Sequence, residues 1–259
     1  MIDEKIQQEL RAEYNPDGSI LRRGQLRMLE ILKCVDAICR KHNIPYWLSS
    51  GTLLGAVRHG GFIPWDDDLD IEMLREDYLK LLPILRKELP ENFVLQDEIL
   101  EKGFYPYLFV KVRDKNSLIN ENFDWHLKNE GLFIDIFPLE KSYYPLFILS
   151  HKLYCFFCAR FFSNRIIYNI NRKLLDKIVF RLFRFLSSFQ NTDVVRHTFG
   201  MGFLRHRNKT DIFPLVELQF EGHSFYVPNN YDAYLKKMFG NYMRLPDKKV
   251  YHGNIAFVN

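Results

Sequence analysis

The Phe-, Leu- and Ile-rich residues 141–190 contain a single acid, Asp176, and nowhere reach the roughly 18 uncharged apolar residues that a membrane-spanning helix requires. A span is excluded there. What remains is a pair of basic, aromatic helices carrying Lys152, Arg160, Arg165, Arg172, Lys173, Lys177, Arg181 and Arg184. Cysteine is also scarce. Cys34 and Cys39 are spaced as on a helix, and Cys155 and Cys158 form a CxxC inside the aromatic run YCFFCARFF, with no histidine-rich segment or glycine-rich turn beside it. This disfavours a zinc knuckle or a redox motif and predicts buried, reduced thiols. The N-terminal MIDEKIQQEL lacks the apolar stretch of a secretory signal. The expected setting is therefore cytoplasmic, peripheral at the inner face of the membrane if the basic helices meet lipid. A net charge of +4 over 259 residues is too mild to argue for nucleic acid, and no basic stripe adjoins the acidic segment described below.

Against these absences, 47% apolar and 26% charged residues describe an ordinary globular chain with a core. Apolar side chains at helical spacing predict a helix over residues 25–42 and another over 75–89. Short strands are predicted at 44–49, 93–96, 107–112 and 132–137, with a short helix at 52–58. The alternation indicates an α/β or α+β domain over residues 25–140. Residues 1–24 form an N-terminal extension, 141–210 the basic aromatic helical segment, and 211–259 a hairpin around Glu221-Gly222 followed by a helix ending near Gly240.

The densest chemical signal is LSSGTLLGAVRHGGFIPWDDDLDIEM, residues 48–73. Side chains two apart on a strand share a face, so Asp68 and Asp70 point together while Leu69 and Ile71 face the core. Asp66 joins them if the strand starts early. Two carboxylates held that close repel unless a cation sits between them, and an all-oxygen donor set selects a hard ion such as Mg²⁺. A solvated acidic turn is the competing reading, but acids interleaved with Leu69 and Ile71 do not make a solvated run. Ser50-Gly51-Thr52 follows a strand and opens a helix, a turn that presents amides to phosphate. Asp135, between Ile134 and Ile136, is the third candidate acid. Lys111 and Arg113 alternate on a strand, where they either neutralise donor phosphates or balance the acidic face.

These residues resemble the nucleotidyltransferase superfamily pattern, with Gly51-Thr52 as the turn, Asp68-Leu69-Asp70 as the acidic strand and Asp135 as the later acid. More narrowly, SSGTLLGAVRHGGFIPWDDDLDI, FVKVRDKNS, GLFIDIFPLE and VPNNYDAYL…FGNYMRLP resemble the LicD family of phosphotransferases, to which fukutin and fukutin-related protein also belong. The resemblance implies a nucleotidyltransferase-like mixed sheet flanked by helices. It implies transfer of a phosphate-linked substituent such as phosphocholine from a CDP-linked donor to a hydroxyl of a glycan, lipopolysaccharide or teichoic acid precursor, the acceptor in some cases lipid-linked. On this reading Asp68 and Asp70 bind Mg²⁺ (or Mn²⁺), and Asp135 is a third ligand or the general base. Ser50, Gly51 and Thr52 hold donor phosphate, and Lys111 and Arg113 offset its charge. Arg58 touches phosphate or pairs with an Asp residue. His59 reads as a surface histidine, and His252 as a residue outside the site. Two alternatives stay open: nucleotidyl transfer with pyrophosphate as product, and a membrane-bound scaffold without catalysis. Residues 141–190 have the composition of helices lying on an anionic bilayer, or of a basic face packed on the catalytic core.

Overall fold

The computed structural model describes residues 2–102, 104–119, 127–246 and 255–257. The chain opens with α1 (Glu4–Tyr14), capped by the Asp3 carboxylate, which accepts from the Lys5 and Ile6 amides. In α2 (Ile20–Lys41) the helical spacing of apolar residues puts Met28, Ile31, Leu32 and Val35 on one fully buried face. Each such side chain contributes ~1.5–3 kcal/mol of burial free energy. Then come β1 (Trp47–Leu48), α3 (Ser50–His59), β2 (Asp70–Leu74), α4 (Arg75–Glu88), β3 (Phe93–Gln96), β4 (Val110–Asp114), β5 (Ser117–Ile119) and β6 (Phe133–Lys141). The basic region forms α5 (Tyr144–Phe157), α6 (Arg165–Leu174) and α7 (Phe180–Ser188), the last two joined without a break by a π-helical turn at Leu175–Val179. Last are β7 (Val194–His197), β8 (Arg207–Asn208), α8 (Lys209–Ile212), the hairpin β9 (Val216–Phe220) and β10 (His223–Val227), α9 (Tyr231–Phe239) and β11 (Ile255–Phe257).

The architecture is mixed α/β. Strands β1, β2, β6, β4 and β3 lie side by side in that order, with β2 and β6 parallel and the other neighbours antiparallel. The far end of β6 pairs with β7, which pairs with β8. One face of the sheet carries Ile71, Met73, Val110, Val112, Ile134 and Ile136 into the main core. Alternation then obliges the polar residues of the same strands to face the other way. The basic helices build a second core around Phe147, Tyr154, Tyr168, Phe180 and Phe199. Its ties to the rest of the chain include hydrogen bonds from Tyr154 to the Pro106 carbonyl (3.0 Å) and from Tyr168 to the Tyr105 carbonyl (2.9 Å), and an Arg184–Glu140 ion pair (2.6 Å).

The predicted helices and the 93–96 strand are present, as are the hairpin and the helix ending at Gly240. Composition gave no sign of α1, nor of β7 and β8, which lie in the basic stretch yet join the main sheet. All four cysteines are free, but only Cys39 and Cys158 are buried; Cys34 is half-buried and Cys155 is exposed near the end of α5. The expectation of four buried thiols is corrected accordingly.

His59 is also corrected. It is buried, with Nδ1 2.6 Å from Gln7 Oε1 and Nε2 accepting from Arg58 Nε at 2.8 Å. A proton on Nε2 would confront the Arg58 donor, and burial together with Arg58 pushes the imidazole pKa down to about 3. In the unfolded chain the same ring takes up its proton near pH 6.5. The lowered pKa therefore gives a contribution that is complete above about pH 6.5 and is lost as pH falls towards about 3. The unfolding free energy should drop by about 2 kcal/mol between about pH 7 and pH 5 from this residue alone. Denaturant titrations at both pH values should show a smaller drop in His59→Gln. Equal drops in the two proteins would refute the assignment.

Candidate active site

Asp70 opens β2, Asp135 is in β6 and Lys111 in β4. The strand register sets Asp70 opposite Asp135, and Asp135 opposite Lys111. Directly opposed residues share a face, so the three form a row across adjacent strands. Lys111 Nζ lies 2.9 and 3.2 Å from the two oxygens of Asp135 and 3.3 Å from the Phe133 ring centroid. Asp66 and Asp68 arrive from the loop before β2. Sequence alternation predicts Asp68 on the strand, whereas the strand begins at Asp70. The approach is nevertheless extended: Leu69 is fully buried, and its carbonyl accepts from the Asp135 amide at 2.8 Å. Asp68 and Asp70 thereby reach the same cavity.

Several contacts fix this loop against its surroundings. The Gln25 amide of α2 donates to the carbonyls of Ile63 (3.3 Å) and Asp66 (2.8 Å), while Asn15 donates to Gln25 Oε1 (2.7 Å). The Ser49 amide donates to the Asp70 carbonyl (3.1 Å), and the Asp70 amide donates to Thr52 Oγ1 (2.8 Å). These two bonds pin the first turn of α3 to the start of β2. A Cβ on Gly51 would sit 2.8 Å from Asp66 Oδ2, so any larger residue there would push the Asp66 carboxylate from its place beside the helix. The first amides of a helix lack intrahelical acceptors, and here they open beside the acids.

The cavity encloses about 760 Å³ and is lined by Ser50, Gly51, Asp66, Asp68, Asp70 and Asp135 together with Phe109, Phe137, His197, Phe203, Arg205 and Arg207. Burial, then Asp68 and Asp67, holds the Asp66 carboxyl well above the usual carboxylate range. Asp70 is raised likewise by burial and by Asp68, Asp135 and Asp66, with Lys111 opposing. Carboxylates this close ionise together only when a cation joins them. Among the described residues no three His, Cys, Asp or Glu side chains form a ready metal cage. Magnesium does not require one, because it takes one or two carboxylates and fills its octahedron with water and substrate phosphate. The donor set is all oxygen and lies beside helix amides suited to phosphate. The residues present fit a hard divalent ion.

The other sequence candidates lie further out. Thr52 is buried, its hydroxyl engaged by Asp70 as above. Arg58 is buried away from the cavity lining, donating to the carbonyls of Tyr242 (2.8 Å) and Arg244 (3.4 Å). Burial pulls its pKa down to about 10, with Asp66 opposing. Arg113 is fully buried and donates to Gln96 and to the Gly131 carbonyl (2.7 Å). Lys111 meets the cavity through Asp135. His252 lies outside the described residues.

Sequence reasoning missed the far wall. Glu72, two residues beyond Asp70 and fully buried, accepts from Arg207 (2.5 Å), Tyr234 (2.6 Å) and Trp47 (3.2 Å) and lies 3.2 Å from His197 Nε2. Those partners overcome its burial and pull its pKa down to about 2. Glu72 thereby anchors His197 and Arg207, both of which line the cavity. His197 Nδ1 is buried with no hydrogen-bond partner among the described residues. The four partners come from β1, β7, β8 and α9, so no local motif could have revealed them.

Residues 43–162 match the family described as LicD/FKTN/FKRP, nucleotidyltransferase domain. The chain is 30% identical to the lipopolysaccharide cholinephosphotransferase LicD of Haemophilus influenzae, over 92% of this chain and 98% of that protein. It is 44% identical over 48 residues to human ribitol 5-phosphate transferase FKRP, covering 18% of this chain and 10% of that protein. A 62-residue stretch is 36% identical to mouse ribitol-5-phosphate transferase FKTN, covering 24% of this chain and 13% of that protein.

Proposed function

This chain belongs to the LicD family of phosphotransferases, and on that premise we propose that it moves phosphocholine from CDP-choline to a hydroxyl of a lipopolysaccharide or related glycan. The observation that carries this reading is the convergence of Asp66, Asp68, Asp70 and Asp135 on one cavity with the N-terminus of α3. Asp68 and Asp70 would hold Mg²⁺. Bound there, the ion would offset charge on the donor phosphates. The Ser50 and Gly51 amides hold donor phosphate oxygens at the positive end of α3. Asp135, its carboxylate oriented by Lys111, takes the proton of the acceptor hydroxyl. The hydroxyl oxygen forms a bond to the distal phosphorus of the donor, the bridging P–O bond breaks, and CMP departs with the bonding pair. His197 and Arg207, both held by Glu72, shape the far wall of the cavity.

A panel of CDP-alcohols incubated with the protein, Mg²⁺ and glycan acceptor tests this reading. CMP should appear with CDP-choline, whereas pyrophosphate release would favour nucleotidyl transfer. The aromatic wall suits a quaternary ammonium, since Phe109 and Phe137 have ring centroids 4.3 Å apart and Phe203 lies 6.3 Å from Phe137. Phe203→Ala should raise KM for CDP-choline about tenfold, in line with the loss of one cation–π face, while leaving KM for an uncharged CDP-alcohol unchanged. Equal effects on both donors would remove the aromatic wall from headgroup recognition.

A further inference from the structure

We propose that the continuous helix from Arg165 to Ser188 lies flat on an anionic membrane surface, inserting one apolar stripe between the headgroups; this stands independently of the donor and acceptor assigned above. Ile166, Ile170, Leu174, Ile178, Leu182 and Leu186 recur every four residues and are all exposed, Ile166 at 73% and Ile170 at 62%. In an α-helix a four-residue step overshoots a full turn by roughly 40°, so such a stripe would wind around the axis. The π-helical turn at Leu175–Val179 widens the helix midway and takes up part of that drift. The opposite side is spent on the second core through Tyr168, Leu175, Phe180 and Phe183. The exposed stripe is therefore not a displaced core.

Charge identifies the occupant. Lys173, Lys177 and Arg181 form a row one residue before the stripe, exposed and flanking it, where long basic side chains can bury their stems and keep their charges among phosphates. Exposed Lys152 and Arg160 extend the basic character onto the preceding elements, beside exposed Phe156 and Phe157. The lone acid, Asp176, is paired with Arg184 at 3.4 Å. A second copy docked on this face by two-fold symmetry would bring the same basic rows together, with no acid row to meet them. An anionic bilayer meets both the stripe and its flanks. No helix among the described residues is long and apolar enough to cross a membrane, so this helix lies on it.

The test is co-sedimentation with vesicles of phosphatidylglycerol and phosphatidylethanolamine, compared with phosphatidylcholine alone. The wild type should bind the anionic vesicles, release with rising salt, and leave the neutral ones in the supernatant. Ile170→Ser/Ile178→Ser should weaken binding by at least about tenfold through lost apolar insertion. Lys173→Gln/Lys177→Gln should weaken it about 25-fold, at roughly fivefold per basic side chain. All four side chains are exposed, so thermal unfolding should be unchanged and serves as the folding control. Equal binding to both vesicle types, wild-type binding by both double variants, or a concentration-dependent dimer abolished by Ile170→Ser/Ile178→Ser would each overturn the proposal.

Discussion

Asp70→Asn should reduce CMP release by at least about 10³-fold while the protein stays folded. The substitution keeps volume and shape but removes the charge, and stabilising a transferring phosphoryl group through a bound dication is worth several kcal/mol, each 1.36 kcal/mol being tenfold in rate. Asp70 is also where the local repulsion concentrates, between Asp66, Asp68 and Asp135. Neutralising it relieves that repulsion, so the melting temperature should hold or rise as activity disappears. That opposition of signs is what a merely structural acid would not show. Asp68→Asn should behave alike, and EDTA should silence the wild type until Mg²⁺ or Mn²⁺ is restored. Asp135→Asn should keep donor binding and lose transfer by roughly the 10²–10⁴-fold of a missing acid–base group. Wild-type turnover in Asp70→Asn, with unchanged dependence on divalent ions, would dismantle the site.

The legible part of this molecule is the part written locally. Alternation across Leu69-Asp70-Ile71 and Ile134-Asp135-Ile136 told which side chains face the core, and the parallel register of β2 and β6 then aligned the two acids. Ser50 and Gly51 could be read because a strand, a small-residue turn and a helix are consecutive in sequence. The illegible part depends on distant segments. Gln25 holds the acidic loop from 41 residues away in sequence, and Arg207 reaches Glu72 across 135. Lys111 and Arg113 alternate on the same strand, yet one ends on Asp135 and the other on Gln96 and Gly131. Their difference is set by neighbouring strands, which sequence spacing does not specify. Glu72 shows the same limit: it sits on β2 two residues after Asp70, and only its partners from distant segments reveal what it does.

Those partners predict a large stability effect. Glu72→Gln would leave the Arg207 guanidinium buried without its counter-charge, and removing one member of a buried, hydrogen-bonded ion pair costs about 3–5 kcal/mol. At ~2–4 °C per kcal/mol for a domain of this size, the melting temperature should fall by roughly 10 °C. Tyr234→Phe deletes one hydrogen bond to the same carboxylate and leaves both charges, so its loss should be smaller, about 1.5–3 kcal/mol. Graded destabilisation across this pair identifies Glu72 as the anchor of the far wall. Its four partners already occupy both carboxylate oxygens, Oε1 with Arg207 and His197 and Oε2 with Tyr234, Trp47 and Arg207 Nε. Little is left for a metal ion, and divalent-ion affinity measured by calorimetry below the variant's melting point should match the wild type. Donor KM should rise, because Arg207 and His197 line the cavity and lose their shared anchor. If Glu72→Gln instead melts like the wild type and loses the divalent ion, the carboxylate is a ligand, and the ion sits deeper along β2 than Asp68 and Asp70 would place it.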